Sequence, residues 1–305
     1  MAPQTILHKL ITMPMLLVVG TMVTDAGKME AQTVNWVSAG SPAARCCMSM
    51  AYDPATHSTL LFSGTGGGPT YYDDTWIWRG GWLQVSPATS PPARDGAGMA
   101  FDGAGNMVLF GGYSSTGSFL NDTWTWDGAN WAQQFPPVSP SARTTEMAYD
   151  PATGTAVLFG GGGGGGALGD TWTWNGPAKT WTQQHPAASP SARSAPMTYD
   201  QSAKTILLFG GNGNDAVQFT DTWNWNGTTW IQQFPVSAPS ARTAAAMTYD
   251  SGLGAAVLFG GFDGVWENSL NDTWPGTARI GRRSIPPPYH LTGTHSAWIT
   301  IRPTK

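Results

Sequence analysis

One pattern of residues is repeated five times along the chain, and this repetition restricts the fold more than any single residue does. Each copy runs through an Arg, the motif M-x-[YF]-D, a turn, an apolar run that usually ends in F-G-G, a variable segment and D-T-W. The arginines that open the five copies are Arg45, Arg94, Arg143, Arg193 and Arg242. The D-T-W motifs begin at Asp74, Asp122, Asp170, Asp221 and Asp272. A fixed period of this size indicates a repeat architecture, so a residue present in every copy is expected to maintain the repeat.

The third copy shows four strand signals. The first covers residues 144–149, and D-P-A-T-G at 150–154 is typical of a turn. The second, at 155–159, is apolar at nearly every position, which indicates burial on both faces. The third, at 170–174, alternates Thr and Trp, so its two tryptophans share one face. The fourth begins at Trp181.

Four antiparallel strands cannot bury both of their faces alone, but radial stacking of such units can, as in the blades of a propeller. The tryptophan pairs are expected to fill the space between blades. The F-G-G, D-T-W-x-W and later Trp of each copy, in register from Trp36 to Trp274, resemble the kelch repeat. The resemblance implies an all-β, kelch-type β-propeller of the galactose-oxidase-like fold, with five four-stranded blades. It implies no activity, because this fold carries enzymes, lectin-like binders and protein-interaction modules.

The two ends of the repeat region suggest how the ring closes. The fifth copy contains its first three strands, but Pro275 follows Trp274 and no fourth strand of the expected kind comes after it. At the other end, T-V-N-W-V at 33–37 precedes S-P-A-A-R as a fourth strand would. The sequence therefore predicts a propeller at 32–274 whose fifth blade is completed by the N-terminal strand, and a divergent tail at 275–305. An incomplete propeller with no independent function is the alternative.

The N-terminal segment has the features of an export signal. Lys9 precedes an apolar stretch from Leu10 to Val23, and small residues follow. Residues 1–31 are therefore expected to be an export signal or anchor on a protein that is secreted, periplasmic or at the cell surface. The formal net charge is −4 and no basic block precedes the tail, which argues against nucleic acid as a partner. We expect a monomer without a metal or cofactor.

The variable segments between the second and third strands are the expected binding surface, because loops on rigid scaffolds carry function. Together with the connections from fourth to first strands, they are predicted to lie on one face. Aromatic rings beside carboxylates suit the stacking of sugar rings or the capture of a peptide. The candidate ligand-binding residues are Tyr71, Tyr72, Tyr113, Phe119, Asp215, Phe262, Asp263, Trp266 and Glu267. The seven glycines at 160–166 are not a phosphate loop, since neither Lys-Ser/Thr nor a helix follows, and they are interpreted as a flexible loop.

Catalytic alternatives have few residues to support them. A copper oxidase of the galactose-oxidase type requires two Tyr, two His and a Cys, and the five histidines of this chain do not converge in the predicted fold; His185 is noteworthy because it replaces a Phe of the other copies. An acid or base in the central funnel, as a sugar mutarotase or epimerase needs, could be Glu146 or Asp95. The adjacent Cys46 and Cys47 are interpreted as two small apolar residues, with a strained vicinal disulfide or a reactive thiol as alternatives.

The sequence thus favours an exported, non-catalytic scaffold that binds a glycan or a protein ligand through the loops of one propeller face. A sugar mutarotase-like or epimerase-like enzyme is the alternative.

Overall fold

A computed structural model describes residues 41–67, 69–264 and 268–276 of the chain. The described residues form an all-β structure in which the one helical element is a single 3₁₀ turn, Asn214–Ala216. Five antiparallel sheets follow one another along the chain and surround a central channel as the blades of a five-bladed β-propeller. The predicted fold class is therefore confirmed.

The first four blades each contain four strands, paired in chain order from the channel outwards. Blade 1 consists of β1 (Ser49–Asp53), β2 (Ser58–Phe62), β3 (Thr75–Trp78) and β4 (Trp82–Val85). Blade 2 consists of β6 (Gly98–Phe101), β7 (Met107–Phe110), β9 (Thr123–Trp126) and β10 (Trp131–Gln134), with two short flanking strands, β5 (Arg94–Asp95) and β8 (Tyr113–Ser114). Blade 3 consists of β11 (Thr144–Asp150), β12 (Thr155–Gly163), β13 (Gly166–Asn175) and β14 (Thr180–Gln184). Blade 4 consists of β15 (Met197–Asp200), β16 (Thr205–Phe209), β17 (Thr222–Trp225) and β18 (Trp230–Gln233).

The fifth blade shows three strands within the described residues. They are β19 (Ala246–Asp250), β20 (Ala255–Phe259) and β23 (Thr273–Gly276), with a small ribbon of β21 (Phe262–Asp263) and β22 (Asn268–Ser269) beside them. The segment 33–37, predicted to complete this blade, lies outside the described residues, as do the export segment 1–31 and the tail from residue 277 onwards.

The hydrophobic core is divided into clusters that lie between neighbouring blades. In β7, Met107 and Leu109 face the cluster shared with blade 1, whereas Val108 and Phe110 face the cluster shared with blade 3. Each second strand is therefore apolar at successive positions because alternate side chains pack against different neighbours. This confirms the burial predicted from the sequence.

The tryptophans of the repeat join one blade to the next. The indole Nε1 of Trp131, at the start of the fourth strand of blade 2, donates a hydrogen bond of 3.0 Å to Thr75 Oγ1 in blade 1. Trp181 makes the same bond to Thr123 at 2.9 Å, and Trp230 to Thr171 at 2.9 Å. A buried indole needs such a partner, so the Thr of D-T-W and the closing Trp of the next repeat form one structural unit.

The glycine run of blade 3 differs from the flexible loop predicted from the sequence. The strands β12 and β13 continue through it as a hairpin whose register shifts between Phe159 and Gly161. Beyond the shift, Gly161 is opposite Leu168, Gly162 opposite Ala167 and Gly163 opposite Gly166. The side chain of Asn214, in the loop of blade 4, accepts a hydrogen bond of 2.7 Å from the Ala167 N–H. Backbone pairing and this contact hold a segment that has few side chains to pack.

Candidate functional site

The connections between strands divide the propeller into two faces. Because the strands of a blade alternate in direction, the connections from second to third and from fourth to first strands lie on one face, which we call the loop face. The tight turns from first to second and from third to fourth strands lie on the other, which we call the turn face. The turns after the first strands repeat one local structure, in which an Asp Oδ1 accepts a backbone N–H two residues later, for example Ala152 N–H to Asp150 at 2.9 Å. The sequence variation between blades is concentrated on the loop face.

A buried ion pair anchors the loop face in every blade. In blade 3, Arg143 Nη1 lies 2.5 Å from Asp170 Oδ1 and 3.1 Å from the Gly160 carbonyl oxygen, and Nη2 lies 2.9 Å from Asp170 Oδ2. The Trp172 indole donates to the same carboxylate at 2.7 Å. The Arg143 guanidinium thus binds both a loop carbonyl and an acid of its own blade. The D-T-W aspartates maintain the scaffold, as expected of residues present in every repeat, and their main partners are Arg and Trp side chains.

Charge-assisted hydrogen bonds determine the ionisation of these aspartates. Burial alone raises the pKa of Asp170, but the hydrogen bonds from Arg143 and Trp172 outweigh it and hold the pKa below its usual value. The Asp residues of the other four pairs show the same direction. These pairs remain charged at neutral pH and belong to the scaffold.

The second glycine of G-G connects neighbouring blades through the backbone. The Gly161 N–H donates to the Arg193 carbonyl oxygen of the next blade at 2.8 Å, and Gly112 donates to the Arg143 carbonyl at 2.8 Å. Gly161 has φ +104°, and a Cβ added there would lie 2.1 Å from the Thr144 carbonyl oxygen. This position requires glycine for both its conformation and its close contact.

Beyond the glycines, the variable segments pair with the chain that enters the first strand of the same blade. Asp95 of β5 is opposite Tyr113 of β8, and isolated bridges join Cys46 to Thr65, and Thr65 to Tyr71. The two kinds of connection therefore lie on the same face and are hydrogen-bonded to each other. This places the variable side chains around the entrance of the central channel.

The channel contains a cavity of about 260 Å³ to which all five first strands contribute. Its wall includes one methionine from each M-x-[YF]-D motif, namely Met50, Met99, Met147, Met197 and Met247. Residues just before the first strands of blades 1 and 2 complete it, namely Cys47, Met48, Gly96 and Ala97, with Ser49 of β1. The methionine ring was not recognised in the sequence, because these residues recur in every repeat and were counted with the scaffold.

Glu146 is the one charged side chain in the wall of this cavity. It occupies the position before the motif methionine, where the other repeats have Ser49, Gly98, Pro196 and Ala246. The side chain is open to water within the channel yet surrounded by protein on its other sides. Burial among these groups raises the pKa of Glu146 from the usual 4.5 to about 7.

Four further predicted or chemically active residues lie near this entrance. The carboxylates of Asp95 and Glu146 both raise the pKa of the Cys47 thiol, although burial is the largest cause, and the value reaches about 12. The pKa of Tyr71 is raised, mainly by burial and to a smaller extent by the charges of Asp95, Tyr113 and Cys47. Burial also raises the pKa of Asp95. Tyr71, Tyr113, Asp95 and Glu146, chosen separately from the sequence, are therefore brought together.

Other candidate aromatic residues hold their own loops. The Tyr72 ring lies under the Arg45 guanidinium, with 4.0 Å between Cζ and the ring centroid. Phe119 packs edge-to-face on Tyr113 with ring centroids 5.0 Å apart. Phe219 lies under Arg193 in the same way as Tyr72. Each of these rings has one face occupied by the scaffold.

The remaining candidates within the described residues do not line the channel cavity. Asp215 is exposed in the 3₁₀ turn of the blade 4 loop, where it adopts φ +55°. Phe262 and Asp263 form β21 in blade 5 and are half-buried. Trp266 and Glu267 lie outside the described residues.

The two cysteines are not packed in the core. Both are exposed and unoxidised, with their sulfur atoms 3.1 Å apart. The raised pKa of Cys47 disfavours the thiolate, so this thiol is a weak nucleophile at neutral pH. Within this structure the two cysteines form neither a vicinal disulfide nor an activated thiol, which were the alternatives to two small apolar residues.

The outer rim carries a feature that sequence reasoning missed. Phe135 and Phe234, at equivalent positions after the fourth strands of blades 2 and 4, are each 83% exposed. His185 occupies the same position in blade 3 and is also exposed. The available signal was the repeated Q-Q-[FH]-P, whose aromatic residue follows a strand with exposed glutamines.

The described residues contain neither a cluster of metal ligands nor a membrane-spanning helix. Within residues 41–67, 69–264 and 268–276, no three His, Cys, Asp or Glu side chains are placed to hold a metal ion. No helix in these ranges is both long and apolar enough to span a bilayer.

Comparison with known proteins agrees with the architecture. The model of the KLHDC2/KLHL20/DRC7 Kelch-repeats domain matches residues 78–231. This match covers half of the chain, so the protein belongs to the kelch-repeat β-propellers. A search of curated proteins found no match.

Proposed function

We propose that this protein is a non-catalytic scaffold that binds a protein ligand on its loop face. The observation that carries the proposal is the convergence of the variable segments, through their mutual pairing, around the entrance of the channel. The buried Arg–Asp pairs and the inter-blade hydrogen bonds hold this surface rigid. A rigid surface loses little conformational freedom on binding, which favours affinity.

The test is peptide selection followed by comparison of the two faces. A random peptide library displayed on phage is panned against the immobilised full chain, and enriched peptides are measured by fluorescence polarisation. The double variant Tyr71→Ala, Tyr113→Ala removes two aromatic rings of the loop face. Tyr52→Ala is the matched control, because Tyr52 is 56% exposed near the turn face.

We expect the loop-face variant to lose affinity by about tenfold or more, since buried aromatic anchors carry much of the energy of such interfaces, and Tyr52→Ala to bind like the wild type. Equal binding by both variants would contradict the proposal. Failure to enrich any peptide, combined with selective binding of one glycan class on an array, would replace the protein ligand by a glycan. Glycan binding is the alternative, because the exposed part of the Tyr71 ring could stack on a sugar ring.

A second candidate function rests on one observation, the raised pKa of Glu146 in a cavity. A carboxyl group whose pKa is near 7 can exchange protons at neutral pH, as a mutarotase-like or epimerase-like enzyme requires. Polarimetry of freshly dissolved aldoses tests this. Catalysed mutarotation that is abolished in Glu146→Gln would support an enzyme. A mutarotation rate equal to that in buffer alone would exclude this function.

We also propose that the chain is exported, on the basis of Lys9 and the apolar stretch Leu10–Val23. N-terminal sequencing of the protein recovered outside an expressing cell tests this proposal. A first residue near Gln32 is expected, and an intact N-terminus on protein retained inside the cell would contradict it.

A further inference from the structure

The carboxylate of Glu146 has no partner in the part of the chain that the structure describes. It makes no side-chain hydrogen bond and no ion pair, although it lies in a protein-lined cavity. The Cys47 thiol is close enough to interact electrostatically with both Glu146 and Asp95, but it is neutral, and Asp95 is a second acid. A carboxylate kept among apolar side chains without a cation is costly to the fold, so its position suggests a ligand that supplies the charge.

The charges of the described residues are divided between the two faces. Five carboxylates on the loop face lie outside the Arg–Asp pairs, namely Asp73, Asp95, Glu146, Asp215 and Asp263. All five arginines of that face are paired with an Asp. The described Lys and Arg residues outside those pairs are Arg79, Lys179 and Lys204, and all three lie in tight turns of the turn face. The turn face also carries aspartates, but their carboxylates accept backbone N–H groups of the turns, namely Asp53, Asp102, Asp127, Asp150, Asp200 and Asp250. The described part of the loop face thus has carboxylates and no unpaired Lys or Arg, which is complementary to a cationic ligand.

The size and wall of the cavity restrict which part of a ligand can enter. A volume of about 260 Å³ is smaller than the pockets of roughly 300–1,000 Å³ that hold whole small molecules, and it suits a single side chain. The ring of motif methionines offers flexible thioether surfaces that adapt to an alkyl chain. Long basic side chains combine such an alkyl stem with a terminal charge.

We propose that the channel receives a lysine or arginine side chain of the protein ligand, with its charged end at Glu146 and its methylene groups against the methionine ring. This inference rests on the proposed function, since it identifies the residue type that the loop face selects. The ligand is thus a basic peptide segment rather than an acidic or apolar one.

The test compares peptide preference among three proteins. The phage-displayed library is panned in parallel against the full-length wild type, Glu146→Gln and the control Asp127→Asn, which removes an exposed charge of the turn face. Each selected peptide is then synthesised with its basic residue intact, acetylated at lysine, or replaced by norleucine. Circular dichroism confirms that each variant is folded.

We expect wild type and Asp127→Asn to enrich peptides with one fixed lysine or arginine, and Glu146→Gln to lose that preference. Acetylation or the norleucine replacement is expected to weaken binding to the wild type by about tenfold or more, as for the loss of a charged hydrogen bond. Glu146→Gln is expected to bind all forms with similar affinity. Preference for a basic residue that persists in Glu146→Gln would overturn the inference.

The failure of this inference is distinguishable from failure of the proposed function. Peptides that depend on Tyr71 and Tyr113 but show no basic preference would leave the function standing and refute the cation pocket. The pH dependence gives a readout independent of folding. Affinity for the lysine peptide should rise between about pH 6 and pH 8 in the wild type, because Glu146 ionises there, and stay flat in Glu146→Gln. Cys47 stays protonated over this range, and Tyr71, whose pKa is raised from 10.0, does so as well.

Discussion

At the scale of single residues, the chain separates charges that hold the scaffold from charges that remain available. In each of the five Arg–Asp pairs, the guanidinium and the carboxylate are joined by short hydrogen bonds. The arginines are buried, and the Arg143 side chain is 1% exposed. Within the part of the chain that the structure describes, Glu146 and Asp95 have no such partners. The sequence predicted which acids were structural from their repetition, but it could not predict their partners, because the Arg–Asp contact spans 27 residues within a blade.

Removal of one partner of an ion pair tests its structural role. Asp170→Asn leaves the buried Arg143 guanidinium without its counter-charge, so we expect the free energy of unfolding to fall by about 3 kcal/mol. Arg79→Ala, at an exposed turn, should change it by no more than about 0.5 kcal/mol. Urea denaturation measures both. A value for Asp170→Asn as small as that of the control would show that the pair does not stabilise the blade.

The Arg143–Asp170 pair should also make the stability of the protein depend on pH in the acid range. The pKa of Asp170 is lowered from 3.8, so the stability that its charge provides is present above pH 3.8 and is lost as the pH falls through the lowered value. The difference between wild type and Asp170→Asn should therefore narrow below about pH 4, the ordinary Asp pKa. A constant difference down to pH 2 would exclude this origin.

Glu146 should have the opposite effect on stability. The pKa of Glu146 is about 7 in the folded state and 4.5 in the unfolded state. The folded state therefore disfavours the ionised carboxylate, and the free energy of unfolding falls as the pH rises from 4.5 to about 7. Glu146→Gln should match the wild type at pH 4 and exceed it at pH 8, by about 1 kcal/mol once water in the channel is allowed for. Thermal unfolding at both pH values, with Asp215→Asn as the control, measures this. A variant less stable than the wild type at pH 8 would contradict it.

At the scale of elements, glycines determine how the second and third strands end. The second glycine of G-G donates its N–H to the next blade and lies against the start of the first strand of its own blade. Ser63 shows what the preceding position requires. Ser63 adopts φ +71°, where the other repeats have glycine, and its hydroxyl donates to the Arg94 carbonyl oxygen. The hairpin through the glycine run of blade 3 could not be predicted, because backbone pairing without side chains leaves no periodic pattern in a sequence.

Two alanine substitutions in that hairpin compare a glycine that is constrained by conformation and contact with one that is not. Gly161→Ala introduces a Cβ at φ +104° and 2.1 Å from a carbonyl oxygen, so we expect a loss of about 2 kcal/mol or more. Gly164→Ala lies at the hairpin tip with no atom within 4 Å of its Cβ, and should change stability by about 0.5 kcal/mol or less. Thermal unfolding compares them. Equal effects would show that the close approach of Gly161 to the Thr144 carbonyl oxygen is not maintained in solution.

At the scale of the whole molecule, the sequence predicted the blade number, the strand order and the inter-blade tryptophans. These follow from a period long enough to define a blade and from residues that pack in the same way in each copy. The channel wall was harder to predict, because its methionines belong to the repeat while Glu146 differs from it at a single position. Sequence repetition hides a site that is built from equivalent residues of all blades.

The closure of the fifth blade remains a prediction, since residues 33–37 lie outside the described structure. If this segment is the fourth strand, Trp36 is equivalent to Trp131, Trp181 and Trp230, and Trp36→Ala should cost about 3 kcal/mol. Trp298→Ala, in the tail, is the control and should have a small effect. Urea denaturation of both variants decides, and equal small effects would refute an N-terminal strand.

The central claim is that the loop face, with the channel entrance, is the binding surface. Hydrogen–deuterium exchange of the full chain, with and without a saturating selected peptide, tests it most directly. We predict slower exchange in the segments around Thr65–Tyr71, Tyr113–Phe119 and the start of β11, and no change in the turns after the first strands. Protection confined to those turns, with unchanged exchange on the loop face, would contradict the account.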